Sequence, residues 1–153
     1  MAGSVEAMRI ALGSDHAGFE LKSLLASALV ERGHEPVDLG PHSGTESVDY
    51  PDYGAAVGRA VTDGTAELGI AICGSGIGIS IAANKIPGVR AALVHDATSA
   101  RLAREHNHAN VLCLGQRLIG QQVALDALDA WLNTAPGEGR HIGRIAKISE
   151  LDQ

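Results

Sequence analysis

Apolar positions along the chain fall into two alternating patterns. "MRIALG" (Met8 to Gly13), "EPVDLG" (Glu35 to Gly40), "LGIAIC" (Leu68 to Cys73), "VRAALV" (Val89 to Val94) and "NVLCLG" (Asn110 to Gly115) are short runs that read as strands. Between them apolar residues recur every three or four positions. Leu21, Leu24, Leu25, Ala28 and Leu29 share one helical face, and Gly33 stops that helix as its C′ residue. Tyr53 to Thr62 predicts a second helix, and Ile77 opens a short third one carrying Ile81, Ala82 and Ala83. Thr98 to Glu105 lies in a fourth. Gln121 to Leu132 forms a fifth that buries Ala124, Ala127, Leu128 and Trp131, and Ile142 to Leu151 a last one. Strands and helices in strict alternation imply a parallel sheet covered on both faces. The expected architecture is a three-layer αβα sandwich with a five-stranded parallel sheet, flavodoxin- or Rossmann-like.

Size and composition narrow the classes of function. A chain of 153 residues fits one domain with a proper core, expected over 8–153 behind a short tail, 1–7, that is given no role. There is no internal repeat, low-complexity block or long linker. Hydrophobic residues make up 45% but aromatics only 3%, so the core is aliphatic and base stacking on single-stranded nucleic acid is disfavoured. A net charge of −6 argues equally against a duplex-binding surface. Two cysteines do not make a secreted disulfide framework, and "MAGSVEAM" lacks the basic and apolar regions of a signal peptide. The longest uncharged run, Leu68 to Ala83, is too short and glycine-rich to cross a bilayer. A soluble cytoplasmic domain without nucleic-acid or membrane partners is expected.

In such sheets ligands bind outside the carboxyl ends of the strands. The first strand delivers Ser14, Asp15 and His16 to that end, and the third delivers Cys73 with Gly74, Gly76 and Gly78. The fourth delivers His95 and Asp96, and the fifth Gly115, Gln116 and Arg117. "ICGSGIGISIAANK" (Ile72 to Lys85) is the most informative stretch. A glycine loop running into a helix presents backbone N–H groups to an anion. A cysteine at that place is positioned for reactive chemistry, whereas Cys113, inside a strand, reads as a small buried hydrophobe.

Several readings of these motifs compete. The loop reads G-x-G-x-G, and Ile79 stands where a dinucleotide fingerprint needs glycine, although Asp96 falls at about the distance of a ribose-binding acid. No Gly-Lys-Ser/Thr follows, so a Walker loop fails. A tight turn without a ligand and a cradle for phosphate or an oxyanion both remain open, as does a merely buried Cys73. "REHNHAN" (Arg104 to Asn110) has the letters of a nuclease signature without the basic surface. Its His-x-His pair has no nearby third ligand, and no metal is expected. His108 reads as a solvated helix end, and His34 and His42 as surface residues. "GRHIGR" sets Arg140 and Arg144 four apart, on one face if helical, as a solvated basic turn or a pair of guanidinium forks for phosphate.

Taken together, "SDHAGFELK", "VDYPDY", "CGSGIGISIAANK", "REHN" and "GRH..R", in order and at matching spacings from Met8 onward, resemble the type B ribose-5-phosphate isomerase family, which includes subunits of galactose-6-phosphate isomerase. The resemblance implies a cofactor-free aldose–ketose isomerase acting on ribose 5-phosphate and ribulose 5-phosphate through an enediolate. By that analogy Cys73 is the base, Ser75 serves the catalytic centre, and His106 assists ring opening. Gly74, Gly76, Ile77 and Gly78 would line the site. Asp15, His16, Tyr50 and Asn107 would contact the sugar, and Arg117, Arg140 and Arg144 would surround the phosphate. Some members use a glutamate a few residues after the cysteine position; Ile79 stands there, which puts the resemblance with the cysteine subgroup. A nucleotide-binding regulatory module on the same fold is the competing class, and it would leave Cys73 and the arginine pair unused.

Topology adds one expectation. His106 and Asn107 come just before the fifth strand, at the amino end of the sheet, while Asp15 and Cys73 lie at the carboxyl end. If His106 is catalytic, the simplest geometry has it enter a neighbouring subunit's site; the alternative is a helix-end residue with no catalytic part. A homodimer, or a dimer of dimers, with shared active sites is the expected assembly, and the resemblance implies the same.

Overall fold

The computed structural model describes residues 6–152. The expected tail over 1–7 falls largely outside the described residues. The strands are β1 (Arg9–Ser14), β2 (Glu35–Asp38), β3 (Leu68–Cys73), β4 (Ala91–Leu93) and β5 (Val111–Gly115). The helices are α1 (Phe19–Glu31), α2 (Tyr50–Thr62), α3 (Ile77–Asn84), α4 (Ala97–Asn107), α5 (Gln121–Asn133) and α6 (Arg140–Ser149), with a 3₁₀ turn at His16–Gly18. All strands pair in parallel, in the order β2-β1-β3-β5-β4. This is the expected αβα sandwich, with β5 rather than β4 beside β3, unlike the flavodoxin order. The exchange matters for the site, because it sets Gly115 in register with Cys73.

β3 lies at the centre and all six of its residues are buried, as a strand covered on both faces requires. Alternation divides the core. Ile10, Leu12, Ile70, Ile72, Leu112 and Leu114 meet α1 and α5 through Leu21, Leu25, Leu29, Leu128 and Trp131. The indole of Trp131 satisfies its buried N–H by donating to Ala109 O at 3.2 Å. On the other face Ala71, Cys73, Val111 and Cys113 pack against Val57 of α2 and Ile79 and Ala83 of α3.

Helix ends follow local chemistry. Gly33 has φ +83°, the left-handed geometry expected after α1. α2 begins three residues earlier than its apolar periodicity indicates, because Pro51 is pre-organised for a first helical turn. α6 begins at Arg140 rather than Ile142.

Two histidines depart from expectation. His34 is buried, its Nδ1 accepting from the Met8 N–H at 3.1 Å, so it ties the start of β1 to the turn after α1. His108 closes α4 in left-handed geometry (φ 47°), and its Nε2 lies 2.6 Å from Gly137 O. With Gly137 N–H donating to Glu105 O at 2.9 Å, this pins the segment leading into α6 onto the end of α4. Both read as surface residues in the sequence because short-range patterning carries no information about such distant partners. α6 itself buries none of its residues and packs only lightly, against α4.

Candidate active site

Three strand ends and two helix starts, those of α2 and α3, converge at the carboxyl edge of the sheet. They enclose a cavity of about 600 Å³ lined by Asp15, His16, Tyr50, Cys73, Gly74, Ser75, Ile77, Gly78, Ile81, Arg117 and Leu118, with Ala17. Backbone bonds weld its walls. Asp15 N–H donates to Ile72 O (3.2 Å), Gln116 N–H to Cys73 O (3.0 Å) and Arg117 N–H to Gly74 O (2.9 Å). Because β1 and β5 both flank β3, the residues that leave all three strands are fixed to one another.

Cys73 ends β3, and its sulfur accepts from the Gly76 N–H at 3.1 Å. That contact requires Gly76 to turn back with φ +77°. A Cβ at Gly76 would stand 2.6 Å from Leu93 Cδ1 and 2.8 Å from the Leu114 carbonyl carbon, so both the geometry and the space call for glycine. Two residues on, a Cβ at Gly78 would come within 2.5 Å of the Tyr50 ring, which is how that phenol reaches the loop. Ser75 Oγ accepts from the Ile77 N–H at 3.2 Å and keeps its own hydrogen available. Asp15 is nearly buried. Its Oδ1 accepts from Gly18 N–H at 3.0 Å, leaving Oδ2 without a protein partner among the described residues. The Arg117 side chain lies over Gly74.

The second cysteine is of another kind. Cys113 is fully enclosed, and burial, with the nearby Cys73 adding to it, pushes its thiol far above the usual range. It stays a neutral thiol. His95 and Asp96 do not join the cavity, because β4 is the outer strand of the sheet. Asp96 is used locally as the N-cap of α4, accepting from Ser99 N–H at 2.7 Å in a capping box that holds its carboxyl below the usual range.

His106, Asn107, Arg140 and Arg144 lie elsewhere in the chain. The His106 ring stacks on His141, with centroids 4.6 Å apart and planes 15° apart, and its Nε2 is 3.8 Å from Glu105 Oε1. Arg140 and Arg144 stand exposed on the first turns of α6 beside them. Asn107 faces a separate small cavity with Asn84, Ala91 and Ile148. His141 was not singled out in the sequence. Its position between the two arginines of "GRHIGR" was the available signal. Desolvation lowers its pKa, helped by His106, Arg140 and Arg144 and opposed by Glu105.

A cysteine under a helix-opening glycine loop, walled by a carboxylate, an imidazole, a phenol and a guanidinium, makes a cavity suited to a polar, anionic small molecule. The sequence model described as Ribose/Galactose Isomerase matches residues 10–148. The ribose-5-phosphate isomerase B of Escherichia coli (strain K12) is 46% identical over 145 residues, covering 95% of this chain and 97% of that protein. Among solved structures, ribose-5-phosphate isomerase B of Clostridium thermocellum is 51% identical with TM-score 0.92, covering 94% of this chain and 97% of that one. That of Mycoplasma genitalium, with bound ribulose-5-phosphate, is 40% identical with TM-score 0.89, covering 93% and 94%. The chain belongs to the ribose/galactose isomerase family and is an aldose–ketose isomerase.

Proposed function

We propose that this chain interconverts D-ribose 5-phosphate and D-ribulose 5-phosphate through an enediolate, with Cys73 as the base. The observation that carries the reading is the Cys73 sulfur, at the wall of the cavity and accepting a backbone N–H at 3.1 Å. That bond fixes the sulfur at the cavity wall, beneath the glycine loop. The thiolate removes the C2 proton of the open-chain aldose, and the C1 carbonyl oxygen becomes the enediolate oxygen. The thiol then returns the proton to C1, while the C2 hydroxyl proton passes to the C1 oxygen, leaving a C1 hydroxyl and the ketose carbonyl at C2. A positioned base contributes about 10²–10⁴ in rate. Backbone N–H groups of the Gly74–Gly78 loop and the Ser75 hydroxyl supply preorganised donors to the developing oxyanion. Asp15, His16 and Tyr50 hold sugar hydroxyls. Names and a bound ligand among the relatives support the choice of sugar.

Ring opening needs a second acid–base group, and His106 supplies it from a partner subunit, together with Asn107, Arg140 and Arg144. Two surfaces support this two-fold dimer. The cavity rim exposes Ile77 (51%), Ile81 (57%) and Leu118 (57%), and α6, with no buried residue, exposes Ile142 and Ile148 beside its arginines. A compact domain of this size has a radius of gyration of about 15 Å, so a residue at the amino end of the sheet does not reach the carboxyl end of its own. The partner's arginines then join Arg117 on the phosphate, whose remote binding orients the reacting carbons. Free, buried cysteines suit a cytoplasmic setting.

Subunit exchange between Cys73→Ala and His106→Ala proteins, each inactive alone, tests the shared site. Random exchange makes half of the dimers mixed, and one of the two sites in each is intact, so about one quarter of wild-type turnover of ribose 5-phosphate returns. No recovery after demonstrated exchange contradicts the arrangement.

A further inference from the structure

Lys22 is fully buried in α1. Its Nζ pairs with Asp38 Oδ1 at 2.6 Å and donates to Pro41 O at 2.9 Å, with the Phe19 ring centroid 5.1 Å away. Removing an ammonium from water is costly, and an apolar side chain of equal length fills such a space without that cost. What the ammonium adds is a fixed grip on the loop over residues 39–49. Asp38 Oδ1 also accepts from the Gly40 N–H at 2.9 Å. Gly40 O in turn accepts from the Ser14 N–H at 3.2 Å, one residue before Asp15. Midway, Gly44 lies flat on Phe19, where a Cβ would approach the ring to 3.0 Å. At the far end the Val48 N–H donates to His16 Nδ1 at 3.1 Å.

That last bond has a chemical consequence. A neutral imidazole that accepts at Nδ1 must carry its proton on Nε2. Nε2 meets no protein partner among the described residues, and His16 borders both the Cys73 cavity and an adjoining one of about 490 Å³. We propose that the loop over residues 39–49, gripped by Lys22, holds His16 as an Nε2–H donor toward the substrate, with Lys22 as a positioning residue. The reading of the Cys73 cavity as a sugar-phosphate site underlies this assignment. A donor there hydrogen-bonds a substrate oxygen. The opposite tautomer would offer a lone pair and a second base beside Cys73.

Long-range proton–nitrogen NMR of histidine-labelled protein without substrate tests the device directly, with His16→Gln identifying the signal. The wild-type protein is expected to show His16 protonated at Nε2 and bare at Nδ1. In Lys22→Met the two tautomers should mix, and kcat/KM for ribose 5-phosphate should fall about tenfold to a hundredfold, as expected for a displaced positioning contact. Asp38→Asn, at a partly exposed residue, makes the same test should Lys22→Met fold poorly. In a His16→Gln background, Lys22→Met should cost little further activity. A wild-type Nδ1–H tautomer, an unchanged tautomer in both loop variants, or losses that multiply fully with His16→Gln would overturn the proposal. Because the NMR measurement needs no turnover, it stands apart from any failure of the isomerase reading.

Discussion

Gly76→Ala is the sharpest single perturbation of the site's architecture. Gly76 has φ +77°, where a residue with a Cβ costs about 1–2 kcal/mol. The added methyl would also lie 2.8 and 2.9 Å from the backbone carbonyl atoms of Leu114, in the middle of the sheet, and these cannot move like a side-chain tip. Overpacking of that kind costs about 1–3 kcal/mol more. The sum, about 2–5 kcal/mol, corresponds to a fall in Tm of roughly 5–15 °C for a chain of this length. Since Gly76 N–H is the donor to Cys73 Sγ at 3.1 Å, kcat should fall along with stability. Gly74→Ala is the internal control, because the atoms nearest a Cβ there belong to the flexible Arg117 side chain, at 3.4 Å and beyond. Calorimetry of the two variants decides the matter. Gly76→Ala with a Tm within 2 °C of wild type, or Gly74→Ala losing as much as Gly76→Ala, would refute the steric argument.

Replacing Arg140 or Arg144 by Ala should raise KM for ribose 5-phosphate about tenfold to a hundredfold, through loss of charge-assisted phosphate contacts, with a smaller effect on kcat; steady-state kinetics reads this directly. Cys113→Ser should cost stability but not chemistry, since burial keeps the Cys113 thiol neutral; unchanged iodoacetamide inactivation kinetics in that variant checks it. His141 should titrate below 6.5 by NMR, chiefly through desolvation, and its midpoint should rise when Arg140 and Arg144 are both removed. Its folded-state pKa is depressed, so its contribution to stability is complete above the unfolded value and is lost as pH falls through 6.5 toward the folded one.

The sheet and the Cys73 cavity were legible because local patterns specify them. Apolar runs such as "LGIAIC" gave β3 to the residue, and glycine spacing marked the turn under Cys73. What local patterns do not carry is strand order. Placing β4 at the edge took His95 and Asp96 out of the site and turned Asp96 into a helix cap. Long-range polar pairs were equally hidden. His34 and His108 look like solvated residues until Met8 and Gly137 arrive from 26 and 29 positions away. The stack of His106 on His141 likewise depends on how the segment after α5 folds back onto α4. Lys22, inside "SDHAGFELK", has a charge that argues for solvent, and only the return of Asp38 and Pro41 explains its burial.

Turnover of ribose 5-phosphate by Cys73→Ser protein tests the central claim most directly. The substitution keeps the shape and polarity of the side chain, but a serine hydroxyl is a far weaker proton acceptor near neutral pH than a thiolate. The account predicts a folded protein with wild-type Tm within a few degrees and kcat lower by about 10²–10⁴. A Cys73→Ser enzyme turning over at near the wild-type rate would contradict it.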